Sequence, residues 1–366
     1  MIFFIVIVIL LGLWYYDLLS RYARLWKNMD ELTPPPNEPL SVSILIPFRN
    51  EEANLPALLD SLNALNMHDH SVEVVFIDDK SMDRGVDIIE NTIIELSQSI
   101  ISNKEKSGKK AAMQLGWEVA RGDIILQTDA DCVFESEWLA KMVEPFQDER
   151  INLVSGPVSY GESKGFWRNL LALDFVALIA IGAAHIEWKL PMICNGANMA
   201  YRKSITSRAE LNTSKASGDD VFLLQSAQQL DSDGIIFSKS SEAIVSTNGP
   251  DSFMEFWNQR LRWASKNGDY DIKKNTYILK ALWVYNITIL ISLFTFSALG
   301  FTAALYLVLL KVLAEDKLYS SFSSFFGIET WFKTLLLGQP FHIIYMAIVP
   351  PLSQFLKYQW KERKLS

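Results

Sequence analysis

Cysteine is nearly absent, with only Cys132 and Cys194 in 366 residues. At most one bridge can form, so no disulfide framework holds the fold. Both read as reduced packing thiols of a cytosolic domain. Basic residues are outnumbered, 34 Lys and Arg against 42 Asp and Glu, for a net charge of −8. That balance argues against a protein that grips phosphate backbones, and no nucleic-acid partner is expected. Histidine is scarce too, and His185 has no companion at metal-ligand spacing. It reads as a structural or acceptor-side residue. Internal repeats and low-complexity segments are missing.

Apolar length is what the chain has in plenty. Hydrophobic residues make up 49%. Met1 to Tyr16 carries no charged side chain, and Leu18 and Leu19 extend it to the ~20 residues that a span needs. It lacks the basic start and the small-x-small site of a cleaved leader, so it reads as an anchor. Arg21, Arg24 and Lys27 follow at once and place the next segment in the cytoplasm by the positive-inside rule. A second apolar region, Ala281 to Leu313, is too long for one crossing. It is either a hairpin turning near Gly300 or one long tilted helix. A third, Phe341 to Leu356, holds Pro350 and Pro351 and reads as re-entrant or interfacial. The basic tail (Lys357, Lys361, Arg363, Lys364) favours a cytoplasmic end, and three spans in total satisfy that parity. The run Leu170 to Ala184, broken by Asp174, is read as a buried or interfacial helix.

The expected divisions are an anchor over 1–20, a linker over 21–40 stiffened by Pro34 to Pro36, and a cytoplasmic domain over 41–270. A membrane region over 281–356 and a tail over 357–366 complete them. Within the domain, Val42 to Pro47 and Val74 to Ile77 read as short buried strands, with Pro47 at the end of the first. Leu55, Leu58, Leu59, Leu62 and Leu65 lie at helical spacing, as do Val86, Ile89, Ile93 and Leu96. A third helix follows Gly108, and Ser252 to Glu255 forms a capping box before another. This alternation predicts a mostly parallel sheet covered by helices on both faces, an α/β fold.

Ile124 to Thr128 then runs into Asp129-Ala130-Asp131. Ligands of open α/β sheets collect beyond the carboxyl ends of the strands. Two acids there, one small residue apart, can hold a divalent cation against a diphosphate. The chemistry that this suggests is transfer from a nucleotide-activated donor.

Taken in order, the motifs resemble those of the inverting family 2 glycosyltransferases with the GT-A fold, a Rossmann-like sheet. They are Ile46-Pro47-Phe48-Arg49-Asn50-Glu51, Asp78-Asp79-Lys80-Ser81, Gly108-Lys109 and Asp129-Ala130-Asp131. Asn195-Gly196-Ala197-Asn198, Gly218-Asp219-Asp220 and Gln259-Arg260-Leu261-Arg262-Trp263 complete the set. The resemblance implies that Pro47, Asn50, Glu51, Asp78 and Asp79 meet the nucleoside side of a nucleotide-sugar, with Asp79 near the base. Lys109 would meet phosphate. Asp129 and Asp131 would handle ribose, sugar and metal, Mg²⁺ or Mn²⁺, with Asp131 the better ligand. Asp220 would be the catalytic base, although Asp219-Asp220 departs from the family's Glu-Asp and leaves open which acid serves. Arg262 would stabilise the leaving diphosphate. Gln259, Trp263, Asn195 and Gly196 would lie on the acceptor side.

Each of these residues also has a plainer reading. Asp78 and Asp79 suit an Asx-type turn, and Lys109 suits the start of a helix. Asp219 and Asp220 suit a helix N-terminus, and Arg262 suits a membrane-surface helix. The expected protein is a multi-pass enzyme of the cell (inner) membrane with a cytoplasmic catalytic domain. It would move one sugar, from a UDP-sugar by resemblance, to a hydroxyl of a lipid or lipid-linked glycan. The rivals are a processive β-glycan synthase and a silent scaffold that binds nucleotide-sugars at the membrane.

Overall fold

The computed structural model describes residues 1–30, 38–103, 108–161, 165–208, 219–265, 273–329, 331–356, 358–360 and 363–365. The prolines at 34–36, Gly218, Lys357 and Lys361 lie outside the described residues. The chain divides into two compact units. One is an α/β unit, Met29–Glu162 with His185–Asn248, and the other is helical, Met1–Asn28 with Ser163–Ala184 and Gly249–Ser366.

In chain order, α1 (Ile2–Asn28) precedes β1 (Ser41–Phe48), α2 (Leu55–Asn63), β2 (Ser71–Asp78), α3 (Gly85–Asn91) and β3 (Ser97–Ser102). Next come α4 (Lys109–Val119), β4 (Ile124–Thr128), β5 (Val133–Phe134), α5 (Trp138–Val143), β6 (Leu153–Ser155) and β7 (Val158–Tyr160). The long helix α6 (Phe166–Glu187) leads to β8 (Asn198–Arg202), α7 (Asp219–Leu230), β9 (Ile235–Phe237) and β10 (Val245–Thr247). Helices α8 (Phe253–Ala264), α9 (Lys273–Phe294), α10 (Ala298–Phe322) and α11 (Trp331–Leu352) follow.

Among the described residues, seven strands form the main sheet in the order β3-β2-β1-β4-β8-β6-β9. All run parallel except β8, which is antiparallel to both β4 and β6. A sheet covered on both faces needs apolar strands throughout, and β1 is buried from Val42 to Phe48. Pro47 has no N–H to give, and β1 pairs with β4 only as far as Leu45. In α2, Leu55, Leu58, Leu59 and Leu62 are buried at the expected spacing, and a proline starts the helix. A smaller sheet, β5-β10-β7, lies in the same unit.

The helix expected from Val86 to Leu96 is shorter than its periodicity suggests. It ends at Asn91, Thr92 is extended, and Ile93 is 90% exposed. The chain then forms β3, a polar edge strand without the apolar run that would reveal it.

The helical unit also departs from expectation. Helix α1 continues through Arg21, Arg24 and Lys27 to Asn28, where a linker is predicted from position 21. The region 281–313 is a hairpin of α9 and α10, and Ser297 Oγ caps α10 by accepting from Gly300 N at 3.1 Å. A Cβ at Gly300 would lie 2.4 Å from the Ser292 carbonyl, so glycine permits this tight return. Helix α11 starts at Trp331, ahead of the expected Phe341, and continues through Pro340, Pro350 and Pro351. The run around Leu170 becomes the 22-residue α6. In all, five helices among the described residues (α1, α6, α9, α10 and α11) are long and apolar enough to cross a membrane, enough for the three spans expected. Their length and composition mark the chain as a membrane protein.

Candidate active site

The chain runs from β1 outward to β2 and β3, then returns to place β4 on the other flank of β1. This reversal opens a crevice at the carboxyl ends of β1 and β4, where α/β sheets bind ligands. Because β8 is antiparallel, its first residue lies at the same edge, with Asn198 opposite Thr128. The loop 195–197 therefore arrives beside the acids after β4. The segment after β3, with Gly108 and Lys109, reaches this edge as well.

Each motif is fixed by its own hydrogen bonds. Asn50 adopts a positive φ of 52°, which asparagine tolerates better than most residues, and its Oδ1 accepts from Met82 N at 2.9 Å. Buried Glu51 accepts from Asn54 Nδ2 at 2.7 Å. Asp78 Oδ1 accepts from Ser81 N at 2.8 Å, three residues on, and so closes the turn after β2. Asp79 is 3% exposed and its Oδ1 accepts from Gly108 N at 2.8 Å, tying the second motif to the third. Arg49 donates to the Asp79 carbonyl at 2.8 Å.

Lys109 Nζ lies 2.5 Å from Asp129 Oδ1, both side chains being only partly exposed. Asp131 Oδ2 accepts from Thr247 Oγ1 of β10 at 3.1 Å. The sequence points Lys109 to phosphate rather than to Asp129, and does not single out Thr247 at all, because each contact joins distant stretches of chain. Between strand and crevice, Cys132 is fully buried, and burial with Asp131 and Asp129 alongside pushes its thiol pKa up. It is a protonated packing residue.

Asn195 Oδ1 accepts from Ala197 N at 3.0 Å, and Gly196 is buried beside it. Asn198 does more than any other residue of that loop. Fully buried, it donates to the carbonyls of Pro157 and Ala243, both at 2.8 Å, and accepts from Trp138 Nε1 at 2.9 Å. Gly156 leaves room for it, since a Cβ there would lie 2.3 Å from Asn198 Nδ2. Replacing Asn198 with leucine keeps the volume but strands three buried polar partners, at about 1–3 kcal/mol each. The expected result is a melting temperature lowered by ten degrees or more, measured on the detergent-purified protein.

Asp219 and Asp220 open α7, and the negative charge of Asp220 complements the helix dipole there. Asp220 Oδ1 accepts from Val221 N at 2.8 Å, and the Cys194 thiol donates to the Asp220 carbonyl at 3.3 Å. His185 is fully buried, and its Nδ1 donates to the Leu190 carbonyl at 3.1 Å. Gln259, Arg262 and Trp263 belong to α8 in the helical unit, all three partly exposed. Ser252 Oγ caps α8 by accepting from Glu255 N at 3.2 Å, while Glu255 reaches back to Asp251 N at 2.8 Å.

A mostly parallel sheet with acids at its switch point, extended by one antiparallel strand, defines the α/β unit as a GT-A domain. Residues 43–208 match the family model described as Glycosyl transferase family 2, so the chain carries a domain of that family. It is 26% identical over 265 residues to the probable glycosyltransferase YdaM of Bacillus subtilis, covering 70% of this chain and 60% of that one. A 36% identical match over 106 residues links it to the undecaprenyl-phosphate 4-deoxy-4-formamido-L-arabinose transferase of Aeromonas hydrophila. That match covers 28% of this chain, which spans 32% of the relative's length. In fold, the chain is similar to the mannosyltransferase PcManGT from Pyrobaculum calidifontis, solved in complex with GDP-Man and Mn²⁺. The TM-score is 0.56 and the identity 17%, over 95% of each chain.

Proposed function

We propose that the protein is a membrane-bound inverting glycosyltransferase that moves one sugar from a nucleotide-sugar to a hydroxyl of a lipid or lipid-linked glycan. The observation that carries this reading is the gathering of Asp79, Asp129, Asp131 and Lys109 at one edge of the β1–β4 switch. Asp79 and Glu51 suit the nucleoside, with Pro47, Asn50 and Asp78 shaping the turns around it. Asn195 and Gly196 lie in the loop that leads to β8 and suit the acceptor side, with Gln259 and Trp263 of α8. Arg262 takes the leaving diphosphate, as the family resemblance implies.

The donor set fits Mg²⁺ or Mn²⁺. Asp131 and Asp129 supply hard carboxylate oxygens, and among the described residues no group of three or more His, Cys, Asp and Glu forms a closed cage. Such ions take one or two carboxylates and complete their shell with substrate phosphates and water. Asp131 is the principal ligand, since Lys109 already holds one Asp129 oxygen. When bound, the ion would neutralise charge on the diphosphate. PcManGT's GDP-Man and Mn²⁺ support a metal-bound nucleotide-sugar, and the undecaprenyl-phosphate relative supports a lipid acceptor.

For the membrane, Arg21, Arg24 and Lys27 near the end of α1 support a cytoplasmic position for the following unit by the positive-inside rule. Helix α6 does not cross. The segments on either side of it, Met29–Glu162 and His185–Asn248, share one compact unit and one sheet. A crossing would put the two parts of that sheet on opposite faces of the bilayer. A cytoplasmic basic tail then needs an even number of crossings among α9, α10 and α11. The hairpin of α9 and α10 supplies those two.

The test uses membranes bearing the full-length protein with radiolabelled UDP-glucose, UDP-N-acetylglucosamine and GDP-mannose, each with Mn²⁺ or Mg²⁺. Label in the lipid extract, at one sugar per acceptor, is the expected result. Label in a high-mass glycan would establish the processive synthase instead. Nucleotide-sugar binding without any transfer would establish the silent scaffold.

A further inference from the structure

The helical unit holds charged side chains that the transfer reaction does not use. Arg260 of α8 is 4% exposed, and its guanidinium lies 2.6 Å from Asp174 Oδ2 of α6. The other Asp174 oxygen accepts from the Tyr345 hydroxyl of α11 at 2.8 Å. The guanidinium also lies over the rings of Phe256 and Trp263, 5.0 and 4.6 Å from their centroids. Trp263 in turn stacks on Phe175, the neighbour of Asp174, at 5.8 Å. One ion pair and two ring stacks thus meet at a single point on α8.

A buried ion pair adds little stability over a well-packed apolar pair, and its best-attested use is to fix register. Helix α8 also packs Phe256 against Trp167, Phe341 and Tyr345, but these ring contacts are less directional than the charged pair. Arg262 lies two positions beyond Arg260, about 200° further round the helix. A turn of α8 by about 20° carries an atom ~6 Å from its axis through ~2 Å. Misplacing a positioning group by ~1 Å can cost ~10²-fold in rate. We propose that the Asp174–Arg260 pair is a positioning element that fixes the rotation of α8, and with it Arg262 and Trp263, against α6 and α11. The proposal rests on the reading that Arg262 and Trp263 serve the transfer.

The test is Arg260→Met in the full-length protein in lipid nanodiscs, read by hydrogen exchange and by nucleotide release from UDP-glucose, UDP-N-acetylglucosamine and GDP-mannose. Amides of 253–264 should exchange at least tenfold faster, while those of α6, α10 and α11 hold. Turnover should fall at least tenfold in kcat with donor KM unchanged. Asp174→Asn should match it, and the double variant should lose no more than either single. Arg260→Lys should recover part of the loss. Unchanged exchange and unchanged kcat in Arg260→Met would overturn the proposal. If that variant does not fold, Tyr345→Phe removes only the hydroxyl that orients Asp174. It should lower kcat about threefold, and no change there would also overturn the proposal. Arg262→Ala separates the two ideas. If it leaves turnover intact, the role of the motif fails, whatever the exchange of α8 shows.

Discussion

Asp220→Asn should leave nucleotide-sugar binding intact and lower transfer by about 10²–10⁴-fold, the usual contribution of a positioned base. An inverting transfer to a hydroxyl needs one group to take the proton as the acceptor oxygen attacks the anomeric carbon. Asp220 opens α7 and its Oδ1 accepts from Val221 N, so its carboxylate has a fixed orientation that asparagine can largely keep. The variant therefore removes basicity more than shape. Asp219→Asn is the control: if it alone loses transfer, the role belongs to the neighbour. The size of the loss also reports on the acceptor. A phosphate monoester, with a second pKa near ~6, is already ionised at pH 7 and needs no base. A loss below about tenfold would thus count against a hydroxyl and favour a lipid phosphate.

Asp131→Ala should cost about 10³-fold or more in metal-dependent turnover, as expected when several kcal/mol of charge stabilisation disappear. Mn²⁺ titrated with UDP or GDP present should bind far more weakly than to the parent protein. Asp129→Asn should weaken the metal less, because one Asp129 oxygen is already engaged by Lys109. It should instead free that lysine and raise the KM for the donor. Equal metal affinity in Asp131→Ala and the parent would end the assignment. Melting curves are the safeguard, since Asp131 also accepts from Thr247 and anchors β10.

Much of this was legible in the residues. The apolar run from Val42 to Pro47 and the acids after Thr128 announce central strands and what lies at their ends, because a strand buried on both faces tolerates little else. β3 was not legible, since an edge strand reading Ser97-Gln98-Ser99-Ile100-Ile101-Ser102 needs no hydrophobic pattern. Asn198 was visible as part of a motif, yet its role depends on Trp138, Pro157 and Ala243, which only the fold brings to it. Asp174, alone in an apolar run, read equally as a mark of the acceptor groove or as a buried cap. Its partner Arg260 is 86 positions later, and no local periodicity connects them. Proline signals misled as well: Pro350 and Pro351 suggest a break, but neighbouring packing keeps α11 helical around them.

The place of α6 in the chain order has a consequence for how the protein is made. Among the described residues, strand β6 pairs with β8 and β9 in the main sheet, and both emerge from the ribosome after α6. At about 5–20 residues per second, β6 waits for seconds with its edges bare while a strongly apolar helix is being synthesised. On the proposed topology that helix is retained beside the bilayer rather than threaded through it, since a crossing would deliver β8 to the wrong compartment. Assembly of the α/β unit and correct handling of α6 are therefore one event. Faults in α6 should appear as failed biogenesis of the sheet, long before any question of catalysis arises.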